Sequence, residues 1–146
     1  MEYAYPAILT RDRSDQKRSV LVRFPDVPEA LTSGDDAADA RAEALDCLLA
    51  ALEGYVATRR PIPRPTRPKR GTSLIRLPAL PAAKLALYQA MRDAGVSNVA
   101  LAHRLGVTET VVRRLLDLRH RSHIAQVEAA LAVLGQQLVV RTRDAA

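Results

Sequence analysis

The chain has 146 residues, 48% of them hydrophobic and 26% charged, with a formal net charge of +6, the balance of a folded protein with room for one ordinary domain or two very small ones. Aromatic side chains are scarce (four Tyr, one Phe, no Trp) while alanine reaches 25 residues, which points to thin, helix-rich cores. No apolar run approaches the ~18 residues that span a bilayer, Met1 to Pro6 lack the basic and apolar regions of a secretory signal, and the single Cys47 excludes an internal disulfide framework and a Cys-rich zinc site, so a cytoplasmic protein without membrane partners is expected.

Residues 2–10 predict a strand with Tyr3, Tyr5, Ala7 and Leu9 on one face at period two. Pro6 cannot donate to a ladder, so this strand lies at an edge or turns the Pro6 nitrogen outward. After a polar turn, Ser19–Phe24 predicts a second strand with Val20, Val22 and Phe24 on one face, joined to the first as a hairpin. Pro25-Asp26-Val27-Pro28 stops it, and Ala30–Ser33 has the makings of a short third strand. Gly34-Asp35-Asp36 opens a helix running to Thr58, with an aspartate as N-cap and Asp35, Asp36 and Asp39 gathered at the positive end. Leu45, Leu48, Leu49, Leu52, Tyr55 and Val56 form its apolar face, positioned to cover the sheet, with Cys47 beside them as a small buried hydrophobe.

Residues 59–71 hold four prolines and six Lys/Arg, and predict an extended, semi-rigid linker of polyproline-like geometry. Charge divides around it. Residues 1–58 carry six basic and eleven acidic side chains, a net −5, and residues 72–146 carry ten basic and five acidic, a net +5. Two modules with different partners follow, at 1–58 and 72–146. The acidic one suits a basic protein, and the basic one suits polyphosphate.

Thr72–Leu77 alternates as a further short strand, and the remainder reads as helices. Pro81 suits a first helical turn, Leu85, Tyr88 and Met91 share a face, and Ala94-Gly95 ends that helix. Ser97 caps a short helix over 98–105, Gly106-Val107 makes a tight turn, and Thr108 caps another helix from Glu109 to about Leu118. Ser122 or His123 opens a last helix ending at Leu134-Gly135, and Leu138–Val140 predicts a terminal strand.

Residues 97–118 have the pattern of a helix-turn-helix. Ala102 is small where the helices cross, Gly106 permits a left-handed turn, and Leu101, Leu105, Val112 and Leu115 or Leu116 form the shared core. The polar residues left on the second helix are Thr108, Glu109, Thr110, Arg113, Arg114 and Asp117. In the docking mode of this motif they enter the major groove. Arg113 or Arg114 then reaches guanine edges or phosphates, and Thr108 and Thr110 meet phosphates or a thymine methyl. His120 and His123 lack the further ligands of a zinc site and read as loop or phosphate-contacting residues, with His103 on the outside of its helix. No nucleophile–base pair, phosphate loop or paired-carboxylate spacing is present, so neither a catalytic residue nor a cofactor or metal is assigned.

As a set, these motifs resemble the HicB antitoxins of HicAB type II toxin–antitoxin systems, in the variant with a C-terminal helix-turn-helix. The resemblance rests on Tyr5-Pro6-Ala7, Val22-Arg23-Phe24-Pro25-Asp26-Val27-Pro28, Thr32-Ser33-Gly34-Asp35, the helix residues Ala44, Leu45 and Leu49, and Pro61-Ile62-Pro63. In the C-terminal part it rests on Leu105-Gly106-Val107, Arg114-Leu115-Leu116-Asp117 and Ile124 to Leu134-Gly135. It implies an α+β chain with a partial RNase H-like sheet-and-helix domain lacking catalytic acids, then an all-helical DNA-binding domain with a short terminal strand. The first domain would bind a small basic HicA-type mRNA-cleaving toxin, with Phe24, Pro25 and Asp26 at the contact. The second would bind double-stranded operator DNA as a dimer or tetramer and repress the protein's own operon. Two alternatives are a helix-turn-helix regulator with a ligand-sensing N-terminal domain and an RNase H-type nuclease. The first needs an apolar pocket that an Ala-rich core disfavours, and the second needs three or four convergent carboxylates with Mg²⁺.

Overall fold

A computed structural model describes residues 1–14 and 16–145, and divides the chain into two compact units, Met1–Ala82 and Ala83–Ala146. Among the described residues it is a mixed α+β protein with one four-stranded antiparallel sheet and five helices. None of those helices is long and apolar enough to cross a membrane.

The first unit contains strands β1 (Ala4–Arg11), β2 (Val20–Phe24), β3 (Val27–Gly34) and β4 (Ser73–Arg76) and the helix α1 (Ala37–Ala57), with strand order β3-β2-β1-β4. The predicted alternation is present. Tyr3, Tyr5 and Ala7, with Val20, Val22 and Phe24, are buried, while Leu21 and Arg23 between them are exposed. The third strand is longer than expected because Phe24 pairs with Val27 across the two-residue turn Pro25-Asp26, which extends the ladder to Gly34.

β1 is an interior strand, yet Pro6 fits it. Its first half, Ala4–Ala7, pairs with β4 and its second half, Ile8–Arg11, with β2. The Leu77 amide donates to the Tyr3 carbonyl, so by antiparallel alternation the odd residues of β1 bond toward β4 and Pro6 turns its nitrogen to the other side. That side lies beyond the β2 ladder, which stops at Ile8.

Gly34 ends β3 where α1 crosses closest. A Cβ built there would lie 2.3 Å from the Ala40 nitrogen. Asp36 caps α1 by accepting from the Asp39 amide at 2.8 Å, and Asp39 accepts in return from the Asp35 amide at 2.9 Å. Ala40, Ala44, Leu48, Leu52 and Tyr55 form the buried stripe against the sheet. Leu45, Leu49 and Val56 flank it half-buried. Cys47 is also half-buried, not buried as expected, because it sits on that flank.

Residues 59–71 are extended, but they lie against the sheet-and-helix unit. Ile62 is buried, the Tyr5 hydroxyl donates to the Pro63 carbonyl at 2.8 Å, and the Thr66 amide and hydroxyl donate to the Asp26 carboxylate at 2.9 and 3.1 Å. The expected strand at 72–77 is β4, and it completes the sheet. The first unit therefore ends at Ala82, not at residue 58 or 71. Its thirteen basic and eleven acidic residues give a net +2, and the second unit's nine basic and five acidic give +4. The sharp contrast between an acidic and a basic module disappears once the cationic segment is seen to pack on the first.

The second unit is helical: α2 (Ala79–Ala94), which begins just before the division, then α3 (Asn98–Leu105), α4 (Glu109–Leu116) and α5 (Ile124–Val133). Leu85, Leu87, Leu101, Val112 and Val127 are fully buried and centre its core. The predicted terminal strand at Leu138–Val140 is absent. Val139 and Val140 are 76% and 80% exposed. Their β-branched composition favours a strand, but among the described residues no strand pairs with them to accept the ladder bonds.

Candidate functional site

α3 and α4 are two eight-residue helices joined by a turn at Gly106. Ser97 caps α3 through the Ala100 amide at 3.1 Å, and Thr108 caps α4 through the Val111 amide at 3.4 Å. Gly106 adopts φ 66° and ψ 32°, the left-handed conformation that ends α3, and the Val107 amide closes back on the Ala102 carbonyl at 3.0 Å. Leu101, Ala102, Val112 and Leu115 are buried, whereas Leu105 and Leu116 are half-buried at the edge of the packing.

Burying Val112 and Leu115 fixes what α4 shows to solvent. Thr110, Arg113 and Arg114 lie on the opposite face at helical spacing, and all three are exposed. Glu109 and Arg113 pair across one turn at 3.3 Å, a surface contact worth about 0.3–0.5 kcal/mol that steers the guanidinium toward the helix start. Thr108 is exposed at that start, its hydroxyl engaged in the cap. Asp117 is exposed at the far end, where its carboxylate accepts from the Arg119 amide at 3.0 Å. Thr108, Glu109, Thr110, Arg113 and Arg114 thus form one surface, and Asp117 shapes the loop that follows.

In the first unit, Phe24 is only 2% exposed and its ring belongs to the core. Pro25 is exposed, and the Asp26 carboxylate beside it holds Thr66. Next to this turn Glu29 accepts from the Tyr55 hydroxyl at 2.7 Å and from Arg60 at 3.0 Å, and the Arg60 guanidinium stacks 3.9 Å from the centre of the Tyr55 ring. The Tyr55 hydrogen bond, helped by a backbone amide and Arg60, holds the Glu29 carboxyl below the usual glutamate range. Burial, then that same hydrogen bond, pushes the Tyr55 hydroxyl up, and burial does the same to Tyr5.

The family of the HicB-like antitoxins, described as "HicB_like antitoxin of bacterial toxin-antitoxin system", matches residues 4–86. The chain belongs to this family. The matched HicB-like segment spans the sheet, α1, the segment 59–71 and the first half of α2. Similarity to named relatives runs further. The chain is 39% identical to Antitoxin HicB 2 of Photorhabdus laumondii over 80% of its own length and 83% of the relative's. It is 37% identical to Antitoxin HicB of Pseudomonas fluorescens over 90% of both. It is 33% identical to Antitoxin HicB of Escherichia coli K12 over 92% and 95%.

Sequence reasoning missed one heavily coordinated side chain of this HicB-like protein. Lys84 of α2 has no exposed surface, and its ammonium lies 2.8 Å from the Arg114 carbonyl, 2.7 Å from that of Asp117, 2.8 Å from that of His120 and 2.8 Å from the Ser122 hydroxyl. Burial lowers its pKa, partly offset by the nearby Asp117 charge. Three of its four partners are backbone carbonyls, which leave no trace in the identity of the residues that carry them. The only signal was a lysine inside the apolar run Ala82 to Leu87.

Proposed function

We propose that this antitoxin neutralises a small basic HicA-type mRNA-cleaving toxin through its first unit and represses its own operon by binding operator DNA through α4. In this reading α3 and α4 are the helix-turn-helix, and the first unit is the partial RNase H-like domain. The observation that carries the DNA half is the two-sided character of α4, with Val112 and Leu115 in the core and Thr110, Arg113 and Arg114 outward. An eight-residue helix is about 12 Å long, which fits the width of a major groove. Such a helix reads few base pairs, so a dimer or higher oligomer supplies a second half-site.

Toxin recognition is a local matter, since the first unit as a whole is not acidic. α1 carries Asp39, Glu43 and Asp46 exposed on the side opposite its buried stripe. This acidic row of Asp39, Glu43 and Asp46, with the turn at Pro25 and Asp26 over the supporting Phe24 ring, is the surface offered to a basic partner. The fold uses no catalytic residue in this role, and the protein acts as a binding and regulatory component.

Fluorescence anisotropy with the duplex upstream of the reading frame tests the DNA half. Arg113→Ala or Arg114→Ala weakens operator binding by about 1–3 kcal/mol where the contact is bidentate to a base, and leaves toxin binding untouched. Unchanged affinity in both variants removes α4 as the recognition helix. Co-purification with the product of the adjacent reading frame tests the toxin half.

A further inference from the structure

We propose that Lys84 is a positioning residue for DNA recognition, holding the C-terminal end of α4 and the loop 117–122 in one arrangement so that operator affinity depends on a side chain that touches no DNA. This rests on the DNA-binding reading of α4.

The last carbonyls of a helix have no partner within it, and a cation is favoured at that end. In α4 the Arg114 carbonyl receives from the backbone a long 3.3 Å bond of the Asp117 amide, which is shared with the Arg113 carbonyl, and the chain leaves the helix immediately after Leu116, with Asp117 already extended at φ −80° and ψ 110°. Beyond that point the Asp117 carboxylate holds the Arg119 amide and Leu118 is buried, contacts that shape the turn locally. The Lys84 ammonium ties the whole segment to α2, because it collects the carbonyls of Arg114, Asp117 and His120 and the Ser122 hydroxyl about one centre at 2.7–2.8 Å. The Ser122 hydroxyl adds a bond to the Arg114 carbonyl at 3.3 Å, and His120 Nδ1 lies 3.0 Å from it.

A fully buried charge is tolerated only where oxygens replace its hydration shell. Loss of the ammonium therefore removes all four contacts at once, whereas loss of one oxygen weakens the socket in part. When it forms, the carbonyls of Asp117 and His120 point inward, and Arg119, His120 and Arg121 are exposed in the loop that follows α4. One buried lysine thus sets both the last turn of the recognition helix and the cationic loop that extends it. Lys84 itself, without surface, cannot reach a phosphate.

The test uses the full chain, with anisotropy at several salt concentrations on the upstream duplex and on a scrambled duplex of equal length. Amide exchange and circular dichroism at the same temperature report the fold. In Lys84→Met, exchange accelerates in 117–123 ahead of the rest of the chain. If the binding-competent arrangement falls to about one-tenth of the population, apparent operator affinity falls about tenfold. Affinity for the scrambled duplex and the salt slope stay at their wild-type values. Ser122→Ala, which removes one ligand of four, shifts the operator-to-scrambled ratio in the same direction by less.

A folded Lys84→Met protein with the wild-type ratio overturns the inference. So does a salt slope reduced by about 0.9, the signature of one lost phosphate contact. If Lys84→Met does not fold, Ser122→Ala decides, and a wild-type ratio there overturns the inference. Absence of operator preference in the wild-type protein is a separate outcome, which overturns the DNA-binding reading and the inference with it.

Discussion

The approach of β3 to α1 makes one prediction that separates steric from conformational effects of the same chemical change. Gly34 and Gly54 lie in one unit, and replacing either by alanine adds one methyl group. At Gly34 that carbon would sit 2.3 Å from the Ala40 nitrogen, 2.6 Å from its Cα and 2.8 Å from the Asp39 carbonyl carbon. All three are backbone atoms of the first turn of α1, so a rotamer change cannot relieve the clash. The helix start must move away from β3. Overpacking of this kind costs about 1–3 kcal/mol, and displacement of the Asp36 cap adds up to about 1 kcal/mol. At Gly54, inside α1, nothing lies within 4 Å of the added carbon, and alanine stabilises a helix interior by about 0.5–1 kcal/mol. Urea titration followed by tyrosine fluorescence reads the difference, since Tyr3, Tyr5 and Tyr55 all lie in the first unit. With a slope of about 1 kcal/mol per molar, the Gly34→Ala midpoint falls by about 1–4 M and the Gly54→Ala midpoint rises by about 0.5–1 M. A Gly34→Ala midpoint at or above that of the wild type refutes the close approach.

Two further predictions concern a pH dependence and a turn. The Tyr55 hydroxyl lowers the Glu29 pKa, so the stabilisation it reflects is complete above the unfolded glutamate pKa and is lost as pH falls through the lowered folded value. In Tyr55→Phe the Glu29 carboxyl titrates closer to an ordinary glutamate and that acid-side loss shrinks. Carbon-detected NMR of the side-chain carboxyl checks it, and an unmoved midpoint contradicts the assignment of Tyr55 as the leading cause. Gly106 has positive φ and open space around an added Cβ, so Gly106→Ala costs backbone strain alone, about 1 kcal/mol, with Gly106→Asn recovering part of it. Thermal unfolding measures both, and an unchanged Gly106→Ala melting temperature argues against the left-handed turn.

The elements that were legible in the sequence are those with a packed face. Val20, Val22 and Phe24 alternate because one side of β2 is covered and the other is not, and Leu101, Val112 and Leu115 recur at helical spacing because their helices share a core. The turn at Gly106 and the caps Asp36, Ser97 and Thr108 were legible because short polar side chains and glycine have few other uses at those places. What escaped lacks periodicity. Residues 59–71 look like a free spacer because proline and arginine carry no pattern of burial, yet Ile62 is buried and Asp26 reaches Thr66 across 40 positions of chain. Val139 and Val140 have the composition of a strand without a strand beside them. Phe24 was assigned to a partner surface through the motif around it, whereas the alternation of β2 already pointed the ring inward.

The way β1 divides its pairing has a consequence for how the molecule withstands cleavage. Residues 59–70 hold six arginines and lysines, and the three not followed by proline, Arg59, Lys69 and Arg70, offer sites to a protease that cuts after a basic residue. A break there severs no part of the sheet, since β4 on the far side of the cut still hydrogen-bonds Ala4–Ala7 on the near side. The two pieces stay joined through strand pairing, in the manner of a nicked protein whose fragments co-migrate until denatured. A piece made without β4 instead leaves half of β1 as an open edge, free to recruit another chain.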